Sequence, residues 1–415
     1  MGIKTCEGCL PEGSPRKGFH GECTDIPLRK YLKVMVAVIL MASVLVACKG
    51  NSAQTEPVPS SSPTYTASEQ PVESNTPQPI NPDPSEEPKE EENPVVFYEK
   101  IYTINGRENH AYVLKIDISN EKTRIVPYLS FNKIYGYETL TDMIEKTGAY
   151  AGVNSGFFFE YGRPSGLVVI DGETVSPGTG RFESIIIEGG NIEFRVVETI
   201  VDFSIGEQTY AVQRFNQPRE ESDIAVYSSY YGNTDRSDLP RRYMAVRDMQ
   251  VLEYGTVSSP VTIPEDGYLV TFPEDFKFPE NIKELLINIS VSPSFTDDAI
   301  AYEGASMLVA NGESLAGDTM PWVGNLNHYD PRTCIGKFND GSLGFVVIDG
   351  RQEGYSTGTT GRETADILLE LGFTDAFMLD GGASSAMYYE SGIVNKPSDG
   401  GIERILAGAM LIFID

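Results

Sequence analysis

Histidine is scarce in this chain. His20, His110 and His328 are the three present, and they stand far apart, which leaves no cluster for a histidine-rich metal site. Basic charge is short as well. Lys and Arg total 32 against 60 Asp and Glu, a formal net charge of -28, so the basic face of a nucleic-acid binder is missing. The five cysteines, Cys6, Cys9, Cys23, Cys48 and Cys334, are too scattered for a disulfide framework. Cys6 and Cys9 have CxxC spacing, but no second pair completes a zinc site. No GxSxG elbow supports a Ser-His-Asp hydrolase, and no Walker A loop is present. No cofactor is expected. Calcium held by Asp and backbone carbonyls stays open as chemistry, without an EF-hand spacing to support it. No internal repeat stands out. The acidity itself fits a soluble surface, and it sets one constraint: an anionic substrate would need a locally basic site, so arginines near glycine-rich loops become informative.

What is present begins with RKYLKVMVAVILMASVLVAC, residues 29–48. Arg29, Lys30 and Lys33 form a positive n-region ahead of the apolar stretch Val34 to Val46, which is short for a transmembrane helix and fits a signal peptide. Leu45-Val46-Ala47-Cys48 looks like a bacterial lipobox, with Cys48 as the lipidated residue after cleavage, and an uncleaved short anchor as the alternative. Either way the rest of the chain is expected outside the cytoplasm, tied to a membrane. Residues 1–27 precede that signal (28–48) and are expected to be absent from the mature protein. Residues 49–94 are rich in Pro, Ser, Thr, Asn and Glu and nearly free of apolar residues, which predicts a disordered tether closed by the acidic run Glu86 to Glu92.

From about Val95 strand signals dominate. Runs such as HAYVLKIDI, GLVVIDGETV and LGFVVIDGR are broken by Asp-Gly and Asn-Gly turn pairs that favour tight hairpins. Two helices are visible, Leu140 to Lys146 ahead of Gly148 and Glu363 to Leu371 ahead of Gly372. Strands outnumber helices without regular βα alternation. The expectation for 95–415 is an α+β domain on a large mixed or mostly antiparallel sheet. Residues 200–305 are more polar and proline-containing and are expected to be an inserted subdomain.

Four stretches carry candidate chemistry: GVNSGFFFEYGRPSG (152–166), DPRTCIGKFNDGSLGFVVIDGR (330–351), TGTTGRETADILLELG (357–372) and FMLDGGASSAMYYESGIVNKPSDGG (377–401). In the last, an apolar run ends in Asp380 and two glycines, a carboxylate at a strand tip on a loop too glycine-rich to be chosen for stability. The bland readings are specific. Asp380-Gly381 is a tight turn, Asp349-Gly350 a hairpin turn, and Glu363 a helix N-terminal acid. On those readings Asn154 caps a turn, Asp399 pairs with Arg404, and Phe157 to Phe159 are core.

Together the four blocks resemble the phosphodiester glycosidase family. The resemblance rests on Asn154, Gly156, Phe157 and Phe158, then on Arg332, Thr333, Ile335, Gly336 and Asp349-Gly350-Arg351. It continues through Gly358, Thr360, Glu363 and Ala365, and through Leu379 to Gly382, Ser384, Ser385, Met387, Asn395, Pro397, Ser398, Asp399 and Arg404. Ser155 and Ala383 stand where the family often has glycine. The resemblance implies hydrolysis of a sugar-1-phosphodiester to a sugar and a phosphomonoester. Such cleavage passes through an oxocarbenium-like state and commonly uses two carboxylates. The departing phosphate is a stabilised anion, so a cationic clamp matters more than a strong general acid, and arginine's planar fork suits it. On this basis Asp380 is expected as nucleophile or electrostatic stabiliser, Glu363 as the second carboxylate and Arg332 as the clamp, with Arg362 a further candidate cation. Asn154, Gly156, Thr360, Gly381, Gly382, Ser384, Ser385, Asn395, Asp399 and Arg404 are the expected substrate-binding set, Gly381 and Gly382 through their amides. The expected partner is a phosphate-linked surface glycan or glycolipid. A non-catalytic module binding such glycans and a metal-dependent phosphodiesterase are the rival readings.

Overall fold

The computed structural model describes residues 93–415. The leader 1–27, the signal segment with Cys48, and all but the last two residues of the 49–94 tether lie outside them. The apolar runs form two stacked sheets. Seven strands make the larger one, in the order Val95–Ile104, Arg107–Ile116, Leu343–Ile348, Arg332–Phe338, Phe373–Met378, Met307–Ala310 and Glu313–Ser314. All its neighbours are antiparallel. Five strands make the second, in the order Gly392–Ile393, Met387–Tyr389, Ala151–Asn154, Gly408–Ile414 and Thr123–Leu129.

Alternation along each strand sends side chains to two cores. Leu114, Ile335, Phe345, Val347 and Phe377 of the larger sheet meet Val153, Met387, Met410 and Ile412 of the smaller between the two sheets. Val113, Cys334, Val346, Ile348 and Met378 point the other way, onto Ala365, Ile367 and Leu368 of the Gly361–Leu371 helix. The Leu140–Thr147 helix covers the outer face of the smaller sheet through Leu140, Met143 and Ile144, against Tyr388, Ala409 and Leu411. The order of layers is helix, sheet, sheet, helix. This explains why Leu343–Ile348 is apolar at every position: it is buried on both faces. Both helices carry the expected end signals. Thr139 and Thr360 accept from the first turn, Thr360 and Glu363 closing a capping box, while Gly148 and Gly372 take left-handed conformations at the C-termini.

The α+β expectation is corrected in weight. With two α-helices among the described residues the domain is largely β, because the helices serve only as outer covers of a mostly antiparallel sandwich. One parallel pair joins Arg214–Phe215 to Ala225–Ser228. A third sheet of Glu173–Ser176, Val168–Ile170, Ile300–Glu303, Thr179–Glu188 and Asn191–Glu198 packs Val168, Ile185 and Tyr302 into the inter-sheet core. The strands from Ile200 to Ser292 pair only with one another, as a three-stranded and a five-stranded sheet with their own core around Phe203, Val226, Met244 and Phe272. Ile300–Glu303, at the end of the stretch expected as an insert, returns to the main domain. No helix among the described residues is long and apolar enough to cross a membrane.

Candidate functional site

Asp380 sits where the two main sheets are tied together. Its strand leaves the larger sheet through Leu379, whose amide donates to Thr333 O at 2.9 Å. The Asp380 amide then donates to Ser155 O, beyond the smaller sheet, at 3.2 Å. Asn154, buried at the end of Ala151–Asn154, fastens the junction. Its Nδ2 donates to Asp380 O at 2.6 Å and Ser155 O at 3.0 Å, and its Oδ1 accepts from Thr333 Oγ1 at 2.8 Å and the Ala386 amide at 3.2 Å.

Polar contacts continue under the loop. Thr333 Oγ1 and Ser385 Oγ are 3.1 Å apart, and Asn395 Nδ2 donates to Ser385 O at 3.2 Å and to Asp349 Oδ1 at 2.8 Å. Asp349 Oδ2 accepts from the Lys396 amide at 2.8 Å and Tyr355 OH at 3.1 Å. Every side chain in it is buried or half-buried, the exposed Lys396 contributing only its amide, so the network fixes the loop rather than merely decorating it. Asp349-Gly350 is thus no hairpin turn. Asp349 is a buried acceptor whose carboxyl is raised above the usual range by desolvation, against the hydrogen bonds of Asn395, Lys396 and Tyr355.

The Asp380 carboxyl is also held above the usual range. Burial is the main cause, and the Ser384 hydroxyl, the Arg404 charge and the Gly381 amide oppose it. Tyr302 stands against the same corner. Burial pushes its hydroxyl up to about 12, with neighbouring Ser155 and the Gly156 amide opposing and the Asp380 charge adding. Gly156 is required here because a Cβ would meet the Tyr302 ring at 2.6 Å.

Two guanidiniums flank the glycine loop. Arg404 Nη1 donates to Ser384 Oγ at 3.1 Å. The Arg351 guanidinium lies over Gly382, where a Cβ would come within 3.2 Å of Nη2, and its Nε donates to Asp330 Oδ1 at 2.9 Å. Arg332 is placed differently from the expected clamp. It is 2% exposed, with Nε on Thr359 O at 3.0 Å and Nη2 on His328 O at 2.9 Å, so it pins two loops beneath the site. Arg362 points away to a surface pair with Asp318.

Glu363 departs from the expected second carboxylate. One oxygen is paired with Arg107, and the other accepts from the Thr360 amide at 3.0 Å and the Thr360 hydroxyl at 3.1 Å. Thr360 is likewise taken up by this cap. The Gly382 amide is committed to Pro331 O at 2.9 Å, which corrects the expectation that it faces a ligand. Ser384 and Ser385 are brought to the site. Asp399 lies in an exposed turn bridged to Ile402, with no ion pair to Arg404. Arg351, Asp349 and Tyr302 are the residues missed as site members. The Asp349-Gly350-Arg351 run was the available signal for two of them.

An aromatic cluster adjoins this corner. Phe157, Phe159 and Phe182 surround Trp322, the chain's one tryptophan, with centroids at 6.2, 5.4 and 6.0 Å. Phe158 lies beneath Arg404 at 5.7 Å. A surface groove of about 1480 Å³ lined by Asn93, Lys115, Asp117 and Asp340 includes none of the residues around Asp380. Among the described residues no group of three or more His, Cys, Asp or Glu is placed to hold a metal ion.

The arrangement is a half-buried acid on a glycine loop flanked by two cations, suited to binding an anion beside a carboxylate. Residues 241–413 match the family model of the phosphodiester glycosidases, and the resemblance read from the sequence is shown over that stretch. The match covers Asp349, Arg351, Asp380 and Arg404; the Asn154 block precedes it. The chain is 35% identical over 122 residues to an SPbeta prophage-derived uncharacterized protein of Bacillus subtilis (strain 168), covering 28% of this chain and 18% of that protein. It is 24% identical over 225 residues to an uncharacterized protein of Rickettsia conorii, covering 50% and 77%. In fold it is similar to a protein from Synechocystis, with a TM-score of 0.64 at 19% identity over 77% of this chain and 62% of that one. A protein of Burkholderia pseudomallei described as exported gives a TM-score of 0.60 at 23% identity over 74% of each chain. The chain thus spans less than two thirds of the Bacillus and Synechocystis proteins.

Proposed function

We propose that this protein hydrolyses sugar-1-phosphodiester linkages, breaking the bond between the anomeric carbon and the phosphate oxygen. The observation that carries it is the half-buried Asp380 carboxylate on a glycine loop that Arg351 and Arg404 flank. The two guanidiniums hold the phosphate, and Asp380 in its ionised form meets the positive charge that develops on the sugar. The electron pair of the broken C–O bond leaves on the phosphomonoester oxygen, whose charge the two arginines counter. Water supplies the hydroxyl of the released sugar, and its other proton goes to the phosphomonoester. Glu363 and Arg332 act as positioning residues that hold the 357–363 loop and its neighbours. The Trp322 cluster supplies an apolar face for a sugar ring.

The substrate belongs to a surface polysaccharide, a teichoic-acid-like polymer or a glycolipid. The chain works outside the cytoplasm, anchored through Cys48. Cys48→Ala should move it from the membrane fraction to the soluble one, and unchanged membrane retention would remove the anchor from this picture.

The test incubates the purified protein with sugar-1-phosphodiesters, beginning with α-N-acetylglucosamine-1-phospho-6-mannose, in oxygen-18 water. Label in the released sugar, lost in Asp380→Asn, is the expected result. Label in the phosphate, with activity that a chelator abolishes, would replace the reading by a metal-dependent phosphodiesterase. Trp322 fluorescence that shifts with added glycan, without release in either protein, would replace it by a binding module.

A further inference from the structure

The five-stranded sheet of the 200–292 segment contains a second polar centre, remote in sequence from the Asp380 loop. Its register pairs Ala225 with Thr271, Tyr227 with Leu269, and Tyr243 with Thr271. Tyr227, Thr271 and Tyr243 therefore share one face, and Arg241, two residues before Tyr243, shares it too. Asp235 and Arg219 come onto that face from the connecting segments. Arg241, Tyr227 and Thr271 are fully buried, Asp235 is 2% exposed and Arg219 is 7% exposed.

Each arginine is held at its far nitrogens by carbonyls. Arg241 Nη1 donates to Leu239 O at 2.8 Å and Nη2 to Ser259 O at 2.9 Å. Arg219 Nη2 donates to Glu221 O at 2.8 Å and Asp223 O at 3.1 Å. The remaining nitrogens, Arg219 Nε and Nη1 and Arg241 Nε, have no protein acceptor, while the buried Tyr227 OH and Thr271 Oγ1 stand near one another without a well-aligned hydrogen bond to any group. Asp235 Oδ2 lies 2.6 Å from Arg241 Nη2, within ion-pair distance but without hydrogen-bond alignment. Asp223, whose charge also acts on Arg219, is paired with Arg214 at 2.8 Å, so three guanidiniums stand against two carboxylates and the group carries one net positive charge. Burial lowers the Arg219 guanidinium first of all, and the Arg241 charge adds to it.

We propose that this centre binds one small monovalent anion of the halide class between Arg219 and Arg241. The unpartnered nitrogens can only donate, and a water that accepted from two of them would still leave the charge in place. A monovalent anion accepts from all of them and brings the group to neutrality. Tyr227 packs on Tyr231 at 4.6 Å, and Tyr231 on Tyr135 at 5.2 Å, so the anion would brace the segment where it meets the main domain.

The test measures the unfolding midpoint of the full chain in sodium bromide against sodium gluconate at constant ionic strength. One-site linkage predicts a rise of about 2 °C per tenfold increase in bromide above the dissociation constant. In Arg219→Met the bromide and gluconate series should coincide. Equal slopes in wild type and variant would mean a general salt effect and overturn the proposal. Crystals of the wild type grown in bromide give a reading that does not depend on the variant folding. Anomalous density between Arg219 and Arg241 supports the site, and its absence overturns it.

Discussion

Replacing Asn154 by alanine tests the claim that the site is built by a network rather than by loop residues acting singly. Asn154 is 1% exposed and makes four hydrogen bonds through one side chain. Alanine would leave the Asp380 carbonyl and the Ala386 amide without their partner, whereas Thr333 can turn to Ser385, 3.1 Å away. Each buried orphan costs about 1–3 kcal/mol, which gives roughly 2–6 kcal/mol for the pair. A domain of this size unfolds with an entropy of roughly 0.7 kcal/mol/K, so the midpoint should fall by about 3–9 °C. Asp380 loses its tether in the same step, and a displacement of about 1 Å at a reacting group lowers kcat on the order of a hundredfold. KM should change little, since Asn154 has no free polar atom for a ligand. Calorimetry and steady-state kinetics on the wild type, Asn154→Ala and Asn154→Asp make the comparison. Asn154→Asp keeps one acceptor but loses both donors, so it should resemble alanine. An unchanged midpoint with a raised KM would refute the argument and restore Asn154 as a substrate ligand.

Other outcomes follow from the same geometry. Because burial raises the Asp380 pKa, kcat/KM should fall on the acid side at a pH above the ordinary carboxylate value of about 3.9. Arg404→Met should move that limb higher still, and a limb at the ordinary value in both proteins would contradict the assignment. The stability sign runs the other way: a raised carboxyl contributes stability below its unfolded pKa that is lost as pH rises through the folded value. Asp380→Asn should therefore stabilise the protein at neutral pH, by roughly 0.5–2 kcal/mol, while removing activity, and a destabilised variant would count against it. Arg351→Lys keeps the charge but loses the fork over Gly382, and kcat/KM should drop about tenfold or more; full activity would remove Arg351 from the clamp. Glu363→Gln should lower thermal stability through the Arg107 pair and the Thr360 cap, leaving the shape of the pH profile unchanged. Loss of one limb of that profile would return Glu363 to acid–base duty.

The local signals in the sequence were the durable ones. Gly148 and Gly372 stop their helices, Thr360 and Glu363 close a capping box, and Asn105-Gly106 and Asp171-Gly172 turn their strands with positive φ at both residues. All of these act within a few residues, where backbone sterics and one hydrogen bond decide the outcome. The strand carrying Asp380 and the special character of its loop were legible for the same reason. What the charged side chains do was not. Glu363 meets Arg107 across 256 positions, and Asn154 meets Thr333 across 179, so neither pairing leaves a mark in local spacing. Arg332 and Arg351 stand in the same sequence block, yet the first is buried against carbonyls and the second lies over Gly382. Composition and turn chemistry made this a strand-rich domain with a carboxylate on a glycine loop. Only the stacking of two sheets, which brings distant loops to one seam, decided which cations stand beside that carboxylate and which residues merely hold it there.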